Sequence, residues 1–213
     1  MSAPTASDLE GRLEASQNHL VEASHQLTTG SNALGFRSDW FVLGAAKRAI
    51  TLSASIFMLV DTNHGIGALT LCRPHLDTLL RLHSLWLTND PHGLVDAVFE
   101  GKRLEKLKDR DGKQLRDTYL VDQLESAGLP WVRSVYQQTS GYVHLSDASM
   151  FQIFTDFDDE TRVAKVAIGV EHKIPATQTL ELKHFAIEVN REVAKRVELW
   201  VAYKAQALKQ QSK

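Results

Sequence analysis

Arg73, Asp77 and Arg81 recur every four residues inside an apolar run from Gly65 to Leu87. At about 100° per residue on a helix, that spacing lines the three charges along one narrow stripe of an otherwise hydrophobic surface. A buried unpaired charge is costly, so the stripe must be paired internally, matched by a polar patch on another element, or face a ligand cleft. Guanidinium groups offer forked donors that suit phosphate or carboxylate, and Asp77 is spaced to fix the arm of Arg73. The best match elsewhere in the chain is Tyr136, Ser140 and His144, again four apart, with Tyr142 and Ser146 close by. Facing each other, the two stripes suggest phosphodiester cleavage. His144 would be the general acid or base near neutral pH, and Arg73 would stabilise developing negative charge. The candidate catalytic residues are therefore His144, Arg73, Ser140 and Tyr136, with Asp77, Arg81 and Tyr142 binding substrate. The plainer readings are an intrahelical ion-pair ladder worth roughly 0.3 kcal/mol per pair, and a hydrogen-bonded histidine at a helix end.

Other chemistries fit less well. Asp61-x-x-His64 and Glu181-x-x-His184 have the spacing of di-metal helical bundles, but such sites need two further inward carboxylates and His64 abuts a helix stop. No metal or cofactor is expected. HExxH, CxxC, Walker and dinucleotide fingerprints are absent, and no acidic orienter or nucleophile elbow supports a serine triad. The lone Cys72 excludes an internal disulfide and reads as a buried inert thiol in a reducing compartment. With a net charge of −2, attraction to nucleic acid would need a local patch. The one basic concentration, from Lys102 to Arg116, reads first as a solvated helix face and second as a phosphate-contacting surface.

The elements that position these residues are helical. A capping-box pattern at Ser7 to Glu10, followed by Leu9, Leu13, Leu20 and Leu27, predicts a helix over about 8–28. From Ser38 to Val60 a second helix is apolar on nearly all sides and is expected to be the most buried. Asn63-His64-Gly65 stops it, and Pro74 should kink or restart the next helix. Asn89-Asp90-Pro91 opens a helix to about 108. Helices then follow around Leu115 to Leu124, stopped by Gly128, and from Pro130-Trp131 onward. Between 151 and 170 the period switches to that of a β-hairpin turning at Asp158-Asp159-Glu160. A last helix spans about 178–209. The expected fold is one all-α domain over 1–213, a bundle of about six to seven helices with a small β-hairpin near 151–170.

Leu71-Cys72-Arg73-Pro74-x-x-Asp77-x-x-x-Arg81-x-x-x-x-Trp86-Leu87, followed by Tyr136-x3-Ser140-x-Tyr142-Val143-His144, resembles a set of uncharacterised bacterial all-helical families loosely allied to HEPN-type domains. That resemblance implies a dimeric helical bundle and, for many such domains, RNA cleavage in phage-defence or toxin–antitoxin systems, through an arginine and a histidine close together on one helix. Here the nearest arginine before His144 is Arg133, so the role falls to Arg73 on the other helix. The expectation is a cytoplasmic homodimer that cleaves or binds RNA. No signal peptide is visible, and Ile50 to Val60 is too short to span a membrane. The rival is a non-catalytic dimeric interaction or ligand-sensing module with an unknown protein partner, in which the same residues form a buried network that fixes helix register.

Overall fold

The computed structural model describes residues 6–29, 35–143, 154–166 and 174–211. Seven α-helices stand among the described residues: α1 (Ala6–Thr28), α2 (Arg37–Asp61), α3 (Gly65–His83), α4 (Pro91–Phe99), α5 (Asp117–Ser126), α6 (Trp131–Val143) and α7 (Ala176–Gln211). An antiparallel hairpin, β1 (Phe154–Asp158) with β2 (Val163–Val166), pairs Asp158 with Val163 and Phe157 with Ala164. Asp158 shapes its turn by accepting the amides of Glu160 and Thr161. The fold is the expected all-α bundle with a small hairpin; the hairpin's outer ends near 151 and 170 lie outside the described residues.

The periodic apolar positions explain the packing. Leu9, Leu20 and Leu27 of α1, and Leu182, Val189, Val193, Val197 and Trp200 of α7, are buried, and α1, α2, α3 and α7 pack on one another. On its other side α3 carries α5 and α6. Two apolar clusters fill the interior, one around Leu76, Leu79, Val193 and Trp200, the other around Ile56, Leu69, Cys72 and Ile187. A polar layer ties α1, α2 and α7: the Asn190 amide donates to Ser53 Oγ at 2.9 Å and Ser16 Oγ at 3.2 Å. At one end of the bundle Asp39, buried in α2, accepts from Trp200 Nε1 at 2.8 Å, Lys204 Nζ at 2.7 Å and the Phe36 amide at 2.9 Å. Three donors compensate a carboxylate that water does not reach.

Three expectations change. Helix α3 runs unbroken through Pro74: the proline removes one amide donor, but both halves are buried, Leu69 and Cys72 in one apolar cluster and Leu76 and Leu79 in the other. Helix α4 ends at Phe99, not near 108, because Gly101 takes a left-handed φ of 88°. That lets the Lys102 amide close back on Ala97 O at 3.0 Å. Helix α2 is long and apolar enough to pass as a membrane span, yet it is not buried all round. Its inner stripe packs on α3 and α7, while Trp40 and Met58 face outward at 59% and 61% exposure.

Buried histidine makes stability depend on pH. His75 is fully enclosed, with Nε2 3.1 Å from Ala186 O and its ring edge-on to Phe185. Burial lowers its pKa to about 4, and that of His83 to about 4 as well, with the Arg196 charge adding to the effect at His83. A folded-state pKa below the unfolded value of about 6.5 gives stability that is complete above 6.5 and lost as pH falls toward 4. Urea denaturation of the wild type is expected to show about 2 kcal/mol lost through His75 between pH 7 and 5, and His75→Gln should flatten that slope.

Candidate functional site

The charges on α3 find partners on three other helices. Arg81 Nε lies 2.9 Å from Asp77 Oδ1, and Arg48 of α2 reaches Asp77 Oδ2 at 3.7 Å. Arg73 does not pair with Asp77 as its spacing suggested. Its Nη2 reaches Asp117 Oδ2 at 2.7 Å, and Arg81 Nη2 reaches Asp117 Oδ1 at 2.5 Å. Asp117 opens α5, where the positive end of the helix dipole favours a carboxylate, and the packing of α5 on α3 brings it between the two arginines. The Arg73 guanidinium lies 3.8 Å from the centre of the Tyr136 ring of α6. Its Nη1 is buried without a hydrogen-bond partner. Three guanidiniums against two carboxylates leave the network with an excess positive charge, and it joins α2, α3, α5 and α6.

Along α6 the predicted residues separate. Tyr136 meets Arg73, as the matching stripes implied. Ser140 Oγ donates to its own helix, to Tyr136 O at 2.5 Å. Tyr142 lies at the far end, where its carbonyl accepts from Thr70 Oγ1 at 3.2 Å and its ring packs beside the second apolar cluster. Arg73 is thus beside Tyr136 while Thr70 is beside Tyr142, so α6 runs antiparallel to α3. His144 and Ser146 lie outside the described residues.

The basic stretch folds as an ordered loop rather than a helix face. Leu104 and Leu115 anchor it in the core, and Lys108 bridges to Gln114. Asp109 Oδ1 accepts the amides of Asp111 and Lys113, and its Oδ2 accepts from the Tyr119 hydroxyl. Burial raises the Asp109 pKa, but these hydrogen bonds outweigh it and hold the carboxyl below its ordinary value. Burial and the bond to Asp109 push Tyr119 up to about 12. The Arg110 guanidinium caps the carbonyls of Trp86 and Leu87 beyond the end of α3. Between this loop, α5 and α6 opens a polar cleft of about 620 Å³, lined by Glu105, Lys106, Arg116, Asp117 and Tyr136. Lys102 and Arg103 face Glu100 and Glu105; among the described residues Lys106, Lys108 and Arg116 have no carboxylate partner.

Asp61, one of the carboxylates with metal-ligand spacing, pairs with the buried Lys183 at 2.6 Å. Among the described residues no three His, Cys, Asp or Glu side chains are placed to hold a metal ion together. Sequence reasoning missed Asp117 and Arg48. An acidic residue in a first helical turn looks like a dipole complement, and only the α3–α5 packing reveals that it is shared by two arginines. Compared with known protein families, curated proteins and solved structures, the chain finds no match.

Removing the shared carboxylate leaves two half-buried guanidiniums facing each other. Asp117→Ala is therefore expected to cost about 2 to 3 kcal/mol in urea denaturation, at or just under the range for a broken buried pair because the site is a quarter exposed. Ser140→Ala, which removes only a bond within one helix, should stay within about 0.5 kcal/mol of wild type.

Proposed function

We propose that this chain binds single-stranded RNA in the cleft between the 100–116 loop, α5 and α6. One observation carries the reading: an ordered loop holds Lys106 and Arg116 without carboxylate partners in the wall of a cleft that also includes Tyr136, and the equally unpaired Lys108 is bridged to the cleft residue Gln114. Unneutralised cations on a fixed backbone attract phosphates with little ordering cost on the protein side. An aromatic face beside them gives an unpaired base a surface to stack on. The Arg73 guanidinium behind that ring fixes its position and adds positive potential. The HEPN-like resemblance selects RNA among phosphate-bearing strands and extends the proposal to cleavage, with His144 as acid or base.

Fluorescence anisotropy with a labelled single-stranded RNA across a salt series tests this. Wild type is expected to bind with a negative salt slope. Lys106→Glu/Lys108→Glu/Arg116→Glu should weaken binding by at least about ten-fold and flatten that slope by about one for each phosphate the variant no longer neutralises. Equal affinity in wild type and the triple variant contradicts the reading. Gel analysis of the same RNA, with His144→Ala alongside, reads cleavage: products made by wild type and missing with His144→Ala support the catalytic extension, and uncut bound RNA leaves a binding module.

A further inference from the structure

A second concavity, of about 500 Å³, opens where the first turns of α2 and α4 meet the end of α7. Its volume is in the range of small-molecule sites. Phe36, His92, Trp200 and Tyr203 supply its walls. Trp200 and Tyr203 lie 5.0 Å apart, centre to centre, with their planes 32° from parallel, and His92 is 5.6 Å from Trp200. The platform is locked from beneath: Trp200 Nε1 is held by Asp39 at 2.8 Å, and Ser38 Oγ lies 2.7 Å from His92 Nδ1. Phe36 and Tyr203 nevertheless remain 38% and 41% exposed. Trp200 is itself enclosed at 2% exposure and backs Tyr203, whose ring is fixed while part of its surface stays open to solvent, as a stacking site requires.

The polar groups decide what stacks there. Arg37 and Lys204 line the same walls, but Asp39 neutralises Lys204 and Asp96 neutralises Arg37, so the rim pair sets which polar edge the enclosure accepts. At the rim Arg37 Nη1 and Asp96 Oδ1 stand 3.4 Å apart, and both side chains are about half exposed. Such a pair is weak and opens to a ligand at little cost. Side by side it offers a forked donor and a two-oxygen acceptor. A guanine edge presents the complement: O6 and N7 accept from a guanidinium, and the adjoining N1–H and 2-amino group donate to a carboxylate. We propose that this pocket binds a guanine base, stacked on the exposed Tyr203 ring and read at its edge by Arg37 and Asp96. The proposal is independent of the RNA reading, because it uses none of the cleft residues.

Isothermal titration of the full chain with guanosine 5′-monophosphate tests it. Wild type is expected to give saturable binding, and inosine 5′-monophosphate, which lacks the 2-amino group, and adenosine 5′-monophosphate each to bind at least about ten-fold more weakly. Asp96→Asn and Arg37→Met, both at exposed positions whose folding circular dichroism checks, should weaken the guanosine ligand by about ten-fold or more. Tyr203→Ala should weaken all purines alike. Lys106→Glu/Lys108→Glu/Arg116→Glu should retain nucleotide binding, which keeps this result separate from the RNA experiment. Displacement of the nucleotide by a guanine-containing single strand would assign the base to a nucleic acid, and failure to displace would assign it to a free nucleotide; both outcomes support the pocket. Absence of saturable binding by wild type, equal affinity for adenosine 5′-monophosphate, or unchanged affinity in Asp96→Asn would overturn it.

Discussion

Arg73 and Arg81 are two turns apart on α3, about 12 Å along its axis, yet they converge on the single carboxylate of Asp117. That convergence is possible only if α5 begins at one place against α3. The position of Asp117 in turn sets where the 100–116 loop must end and where α6 must lie for Tyr136 to cover Arg73. The attraction is strengthened because the pairs are mostly shielded from water, and the same shielding makes an unmatched partner expensive. Both sides of the polar cleft therefore depend on one shared acid.

The same device recurs through the molecule. Asp39 joins the start of α2 to the end of α7, Asn190 joins α7 to α1 and α2, and Asp109 organises its loop through two amides and the Tyr119 hydroxyl. Apolar area drives these helices together, but an apolar face tolerates sliding, whereas a buried polar hub is satisfied in one register. Asp39 thereby fixes the aromatic platform of the second pocket, much as Asp117 fixes the polar cleft. Asp39 lies behind the aromatic pocket without lining it, whereas Asp117 stands in the wall of the polar cleft itself.

Helix identities were legible from periodicity, because the 3.6-residue pattern of Leu9 to Leu27 and of Leu182 to Trp200 is long and strong. The hairpin was legible from the change of period and from Asp158. Boundaries governed by one backbone angle were not: Gly101 ends α4 and turns a predicted basic helix into a loop. Of the candidate site, the meeting of Arg73 with Tyr136 could be read from two matching four-residue stripes. Asp117, Arg48 and Asp39 could not, because each matters through a partner distant in sequence, and no local spacing announces such pairs. Ser140 had the right type and spacing, but its hydroxyl has a nearer acceptor in its own helix, a competition that serine side chains commonly resolve this way.

A double-mutant cycle between Arg73→Gln and Asp117→Asn, read by urea denaturation, tests the central claim that the shared carboxylate holds the cleft's helices in place. The two changes should be strongly non-additive, with a coupling of about 1 to 3 kcal/mol. Additivity within about 0.5 kcal/mol would mean that Arg73 and Asp117 act independently, and would contradict the account.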